Sequence, residues 1–443
     1  MIGTIKQLVQ LMQSHGATRF YAKKLASNDN SKNQVYLGGG FSSLNIIPHQ
    51  PLYVDKSRTA GGKVPRTKAN VAFSWIDHNG RYTAPGVQLI LYPEYPEVRF
   101  SGFLKGCSNA PSHIMASRDK GRVLFLGITP AGEVIGYAVG TEDPLAKELM
   151  AQTMAASIGV FIEINQGTNR QQDNRLTLLQ TLKRICAKQW IHSKKLSNDG
   201  SVKPYTARNG GGYTLEAELG ISPNGYSEPD FLGWEIKQYS VKNFETLQPK
   251  SPVTLMTPEP NGGIYSEHGV ASFLRRFGYA DKSGKADRVN FGGIYMIGRD
   301  CHSDTGLRLA LDGYDSQSKK ITDMRGAIIL ETQHHEVAAS WGFNSLLEHW
   351  NRKHAKAAYI PSLFKTPPPE YAYGCKVQLC EETDFLLFLQ AVASGKVYYD
   401  PGIKMEKASS ASPATKRRSQ FRIKHDSLTT MYHRSEVVDL SLT

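Results

Sequence analysis

Two short segments of this 443-residue chain carry side chains that could do chemistry together. In Pro229-Asp230-Phe231-Leu232-Gly233-Trp234-Glu235-Ile236-Lys237, an aspartate is followed five positions later by a glutamate and two after that by a lysine. Strand side chains alternate, so Glu235 and Lys237 face the same way. Asp230 stands before that strand, across the tight Phe-Leu-Gly-Trp segment, and can bend back toward Glu235. Upstream, Gly210-Gly211-Gly212-Tyr213-Thr214-Leu215-Glu216 runs from a glycine-rich turn into an expected helix with Glu216 on its first turn or two.

Carboxylates are hard oxygen ligands of the kind magnesium takes, and a lysine beside them can neutralise charge that develops on a phosphorus centre. The chemistry such a set fits is phosphodiester hydrolysis with Mg2+ as cofactor. Asp230 and Glu235 are the expected metal ligands, Lys237 the catalytic cation and Glu216 an orienting or second-metal acid. The bland alternative is an ordinary exposed strand. With each residue type near 5% of an average composition, the spacing should arise by chance about 0.05 times in a chain this long.

Composition agrees with a polyanionic partner. Lysine and arginine total 53 against 40 acids, a net charge of +13, and apolar residues make up 40% of the chain. Such a balance favours nucleic acid and provides enough apolar material for packed cores. No run of eighteen apolar residues exists and Met1 to Gln13 lacks the regions of a signal peptide, so the expectation is a soluble cytoplasmic protein without a membrane partner. Cys107, Cys186, Cys301, Cys375 and Cys380 include no CxxC pair and read as buried free thiols.

The elements that must position these residues divide the chain in two. Short alternating runs at Gln34–Leu37, Gly86–Leu91, Val123–Ile128 and Val134–Val139 predict strands, and Pro144 to Ile158 has helical spacing. Residues 1–164 are therefore expected to form an all-β barrel or sandwich with flanking helices. The polar stretch 165–174 reads as a linker. A second, α/β domain over 175–443 opens with an amphipathic helix from Arg175 to Trp190. Strands are expected at Val289–Ile297 and Ala327–Glu331, and helices at Phe343–His354 and Glu382–Ser394. Lys404 to Arg418, rich in Ser and Ala and ending in three basic residues, reads as a mobile basic loop.

Glu216, the step to Asp230, and Pro-Asp-Phe with Glu-Ile-Lys resemble the catalytic motif of the MvaI and BcnI restriction endonucleases, relatives of the mismatch-repair nicking enzyme MutH. The likeness continues through Leu255-Met256-Thr257, the Phe273-Leu274-Arg275-Arg276-Phe277-Gly278 segment, Phe343 to Tyr359 and Phe421-Arg422-Ile423. It implies a PD-(D/E)xK fold, with the four residues above in the roles given them. It also implies an arginine that reads guanine at Arg422. The family pattern is not matched at Asp400-Pro401-Gly402, where a second base-reading arginine is expected, nor at Lys416-Arg417-Arg418, which replaces a histidine-rich loop. Arg417 there, with Arg275 and Arg276 on a short helix, is a candidate DNA contact.

The first half resembles the effector-binding N-terminal domain of the EcoRII type, a pseudobarrel that grips DNA between two arms. The resemblance rests on Phe20-Tyr21-Ala22-Lys23-Lys24-Leu25-Ala26-Ser27-Asn28-Asp29 and Gln34-Val35. It implies that Lys23, Lys24 and Asn28 lie on the first arm and Glu97 with Arg99 on the second, with Asn33 where a histidine is expected. Arginine can make two bonds to guanine, glutamate can accept from the cytosine amino group, and lysines neutralise phosphates.

Together the resemblances imply a monomeric, site-specific deoxyribonuclease that acts on double-stranded CC(A/T)GG-like sites, with one DNA site in each domain. Two other readings stay open. One is a nuclease that reads modified bases through an aromatic cage at Tyr92, Tyr95 and Phe100. The other is a non-cleaving DNA-binding regulator.

Overall fold

The computed structural model describes residues 2–27, 33–39, 41–55, 66–92, 97–151, 157–164, 170–207, 209–222 and 229–442. Asn28 and Tyr95, both singled out above, lie outside them. The chain divides into two compact units, Met1–Asp173 and Asn174–Thr443. Among the described residues no helix is long and apolar enough to cross a membrane.

The first unit holds two sheets. Seven strands run in the order Ser157–Ile158, Phe161–Glu163, Arg19–Lys24, Val123–Ile128, Val134–Val139, Phe73–Asp77 and Gly80–Thr83. Five more run Val35–Gly39, Glu97–Ser101, Gln88–Tyr92, Arg66–Asn70 and Tyr53–Asp55. Helices Ile5–Ser14 and Pro144–Ala151 lay Leu8, Val9, Met12, Leu145 and Leu149 on Phe20, Phe125 and Ile135 of the larger sheet. Helical spacing predicts a helix through to Ile158, yet Ser157–Ile158 is a strand paired with Phe161–Glu163. The turn between them runs through Gly159, whose φ of 58° suits glycine.

The second unit is built on a mixed sheet. Ile191–His192, Glu370–Tyr373, Lys356–Lys365, Lys376–Thr383 and Tyr432–Asp439 pair in that order, and Glu235–Ser240 joins Lys356–Lys365 in parallel. One apolar cluster backs it: Leu178, Leu179, Leu182 and Ile185 from helix Arg170–Ala187, Leu215 and Leu219 from helix Gly210–Glu218, Trp234 and Ile236 from the strand, and Ala358 and Ile360 from its partner. Helix Arg170–Ala187 starts five residues inside the segment read as a linker. Its first turns, Arg-Gln-Gln-Asp-Asn, form helix well enough but show no apolar period.

Two expectations are corrected here. Lys404 to Arg418 is no mobile loop: Gly402–Glu406 and Ala414–Lys416 form an antiparallel hairpin. Its tip is tied down, because Ser409 donates from N and Oγ to the Asp287 carboxylate (2.7 and 2.9 Å) and Arg275 reaches the carbonyls of Ala408 and Ser410. A serine- and alanine-rich composition hides such tertiary anchors. The cysteines are not all buried thiols either. Cys186 and Cys375 form a disulfide with Cα atoms 5.6 Å apart across 189 residues of sequence, a pairing no local spacing reveals. Cys107 and Cys301 are half-buried, and only Cys380 is a buried thiol.

Candidate active site

The tight segment before the catalytic strand closes on itself. Phe231 and Trp234 exchange backbone hydrogen bonds of 2.9 and 2.8 Å across Leu232 and Gly233, both at positive φ (50° and 85°), the signature of a two-residue reversing turn. Trp234 and Ile236 enter the core on one face of the strand. Glu235 and Lys237 occupy the other. The reversal returns Asp230, whose Oδ2 accepts the Ile236 amide at 2.9 Å, to the backbone between those two side chains.

Glu235 is fully buried, and Lys237 donates to its Oε1. A second ammonium, Lys353 from helix Phe343–His354, approaches the same oxygen at 3.4 Å. Oε2 of Glu235, by contrast, is buried with no hydrogen-bond partner among the described residues. Burial raises the pKa of Glu235, opposed by Lys237. Burial also pulls Lys237 down, but Glu235, Asp230 and Glu216 together hold it above the ordinary lysine value, so it stays an ammonium.

Glu216 projects from helix Gly210–Glu218 into the same field. Burial, with the Asp230 charge beside it, raises its pKa, while Lys237, Lys353 and Lys195 pull the other way. The helix start is closely seated: a Cβ on Gly211 would stand 2.9 Å from Gln238 Oε1 of the strand, and one on Gly210 would stand 2.5 Å from Ser193 Oγ, which precedes strand Lys194–Leu196. Tyr373 Oη fixes the same point by donating to the Gly211 carbonyl at 2.7 Å.

The structure therefore brings Glu216, Asp230, Glu235 and Lys237 into one charged cluster and adds Lys353, which sequence reading missed. Lys353 stands 116 positions after Lys237; only the parallel pairing of Lys237 with Tyr359 brings its helix over the strand. On that helix, His349 is pushed down to about 4 by burial and by the charges of Lys353 and Lys237.

Whether these residues suit a divalent ion can be judged from the donors. The bare, buried Glu235 Oε2, with the Asp230 charge acting on the same carboxyl, is the kind of oxygen a hard cation completes. Among the described residues no three acidic, histidine or cysteine side chains converge in a group that could hold a metal ion.

The candidate DNA contacts are more dispersed. Arg422 is held between Asp400 Oδ2 (2.6 Å) and the Pro252 carbonyl (2.7 Å). Arg276 pairs with Glu336 at 2.5 Å, Arg275 caps the hairpin tip, and Arg417 is exposed. In the first unit, Lys23 is buried, donates to the Lys24 carbonyl at 2.6 Å and is shifted down by burial, whereas Lys24 is exposed. Arg99 pairs with Glu97 at 2.7 Å and contacts Gln34, and the guanidiniums of Arg66 and Arg99 lie 4.5 and 4.9 Å from the centre of the Tyr92 ring. Phe100 is a core residue stacked on Phe103, which removes it from any aromatic cage.

Comparison with known proteins adds a family. Residues 179–432 match the MvaI/BcnI restriction endonuclease family. Restriction endonuclease MvaI in complex with its cognate DNA substrate is 18% identical, with a TM-score of 0.44 over 59% of this chain and 97% of that one. MvaI in the absence of DNA is 17% identical, with a TM-score of 0.33 over 60% and 98%. No curated protein matches.

Proposed function

This chain belongs to the MvaI/BcnI restriction endonuclease family, and on that premise we propose that it hydrolyses phosphodiester bonds of double-stranded DNA at a short CC(A/T)GG-like site, with Glu216, Asp230, Glu235 and Lys237 as its cutting centre. The observation that carries the reading is the divided environment of Glu235. One oxygen is neutralised by Lys237 and Lys353, and the other is buried and bare, with the Asp230 charge acting on the same carboxyl.

Asp230 and Glu235 would hold Mg2+, with Glu216 in support. Magnesium, when bound, supplies Lewis acidity and a more acidic attacking water. Lys237, kept protonated by its carboxylate neighbours, offsets charge on the phosphoryl oxygens as bonds to phosphorus rearrange. Lys353 holds Glu235 Oε1 from the opposite element and adds positive potential at the phosphate. Arg422 reads a guanine, oriented by Asp400. The protein acts as a cytoplasmic monomer that cuts the two strands in turn.

The first unit, Met1–Asp173, serves as an effector domain that binds a further copy of the site, with Glu97 and Arg99 at base edges and Lys24 at phosphate. Phe100 in the core and two guanidiniums against Tyr92 count against an open cage for a modified base.

The test is cleavage, with magnesium, of methylated and unmethylated plasmids bearing zero, one or two CC(A/T)GG sites, wild type beside Lys237→Ala and Asp230→Ala. Site-specific cutting lost in both variants, and faster on two sites, supports the proposal. Cutting of methylated DNA alone would establish a modification reader, and binding without cutting a regulator.

A further inference from the structure

We infer that the Cys186–Cys375 bond is a reversible thiol–disulfide site, exchangeable with small thiols of the glutathione class, that fastens the layer behind the catalytic strand. Cys186 lies in the last turn of helix Arg170–Ala187, and Cys375 lies between strands Glu370–Tyr373 and Lys376–Thr383. Both are only half-buried, and both line an open, largely apolar groove of about 540 Å³ with Trp190, Phe244 and Leu363. A small thiolate can reach either sulfur there.

The bond joins two elements that serve the same core. The helix ending at Cys186 contributes Leu178, Leu179, Leu182 and Ile185 to the cluster that holds Leu215 and Leu219, which flank Glu216, and Trp234 and Ile236, which flank Glu235. Four apolar side chains keep the helix seated when the bond is open. The bond removes the freedom of a 189-residue separation in the unfolded chain and pins the helix end in the folded one.

Exchange balances as follows. A thiolate attacks Cys186 Sγ, the S–S bond breaks, and Cys375 leaves as thiolate, the better leaving group because the helix C-terminus disfavours negative charge at Cys186. A second small thiolate attacks the sulfur of the first, releasing Cys186 and a small disulfide. Two electrons pass to the protein, and two protons from solvent complete its thiols. The reverse reaction closes the bond at the expense of glutathione disulfide.

Full-length protein is equilibrated in glutathione disulfide buffer, or reduced with dithiothreitol, then digested without reduction and mapped by mass. A linked peptide containing Cys186 and Cys375 is expected in the first sample and absent from the second. Reduction should lower the melting temperature by roughly 5–10 °C and speed amide exchange in Leu178–Cys186 by about tenfold or more. Cys186→Ser and Cys375→Ser should each melt with the reduced wild type and ignore dithiothreitol. Absence of the linked peptide, an unmoved melting temperature on reduction, or undiminished sensitivity of the variants to dithiothreitol would each overturn the inference. None of these readouts depends on DNA cleavage.

Discussion

The ammonium of Lys353 lies 3.4 Å from Oε1 of Glu235, the same oxygen that accepts from Lys237. Two cations from different elements thus converge on one buried carboxylate oxygen and leave its other oxygen bare.

That convergence predicts unequal losses. Lys237→Ala should reduce single-turnover cleavage by about 10³-fold or more, because it removes the cation nearest the developing charge. Lys353→Ala should cost roughly 10–100-fold, and Lys353→Arg should recover most of that. Equal losses in the two alanine variants would mean that Lys353 does more than steady Glu235.

Glu216 should trade stability for activity. Its pKa is raised, chiefly by burial, so the folded state favours the protonated acid; the stabilisation is full below the unfolded value near 4.5 and is lost as pH rises through the folded one. At neutral pH the charged carboxylate therefore costs stability. Glu216→Gln, measured with a chelator at pH 7.5, should melt higher by roughly 1–3 °C while cleavage with magnesium falls sharply. A lower melting temperature would refute the sign.

His349 predicts the opposite slope. Its pKa is pushed down to about 4 from 6.5, so the unfolded chain binds the proton first and the contribution to stability, complete above 6.5, is lost as pH falls toward 4. The denaturant midpoint of wild type should fall relative to that of His349→Phe as pH drops through that window.

Arg422 and Asp400 should act as a pair in site selection. Arg422→Ala should weaken binding to cognate duplex by about 10–100-fold with little change on unrelated DNA, since one base contact is at stake. Asp400→Asn should lose part of the same discrimination, because it releases one of the two holds on the guanidinium. Equal weakening on all sequences would assign Arg422 to phosphate instead.

In the first unit, Arg99→Ala should abolish the advantage of two-site over one-site plasmids and leave one-site cutting within about twofold, the pattern expected if it contributes only to the second, linked binding event. Slower cutting of one-site DNA would place Arg99 in the primary reaction.

How far the sequence could be read depended on distance along the chain. Val123–Ile128, Val134–Val139 and Phe343–His354 coincide with their expected bounds because each is an uninterrupted apolar or amphipathic run. The turn that folds Asp230 back was legible for the same reason: four consecutive residues make it. Lys353 and the Cys186–Cys375 bond were not, because strand pairing and the packing of helix Arg170–Ala187 on the sheet bring their partners together across 118 and 189 positions. The hairpin Gly402–Lys416 escaped because Asp287 and Arg275, not its own composition, anchor it.

The close seating of Gly210 and Gly211 on Ser193 and Gln238 bears on how this scaffold can be engineered. Those two glycines present no side chain to substrate and sit at the opposite end of the helix from Glu216, so a mutagenesis library guided by proximity to DNA would leave them open to variation. A side chain there would have to displace Ser193 and Gln238 or move the start of the helix that carries Glu216. Retargeting campaigns should hold this run constant and place their diversity around Asp400 and Arg422, where changes alter what is read without moving the blades.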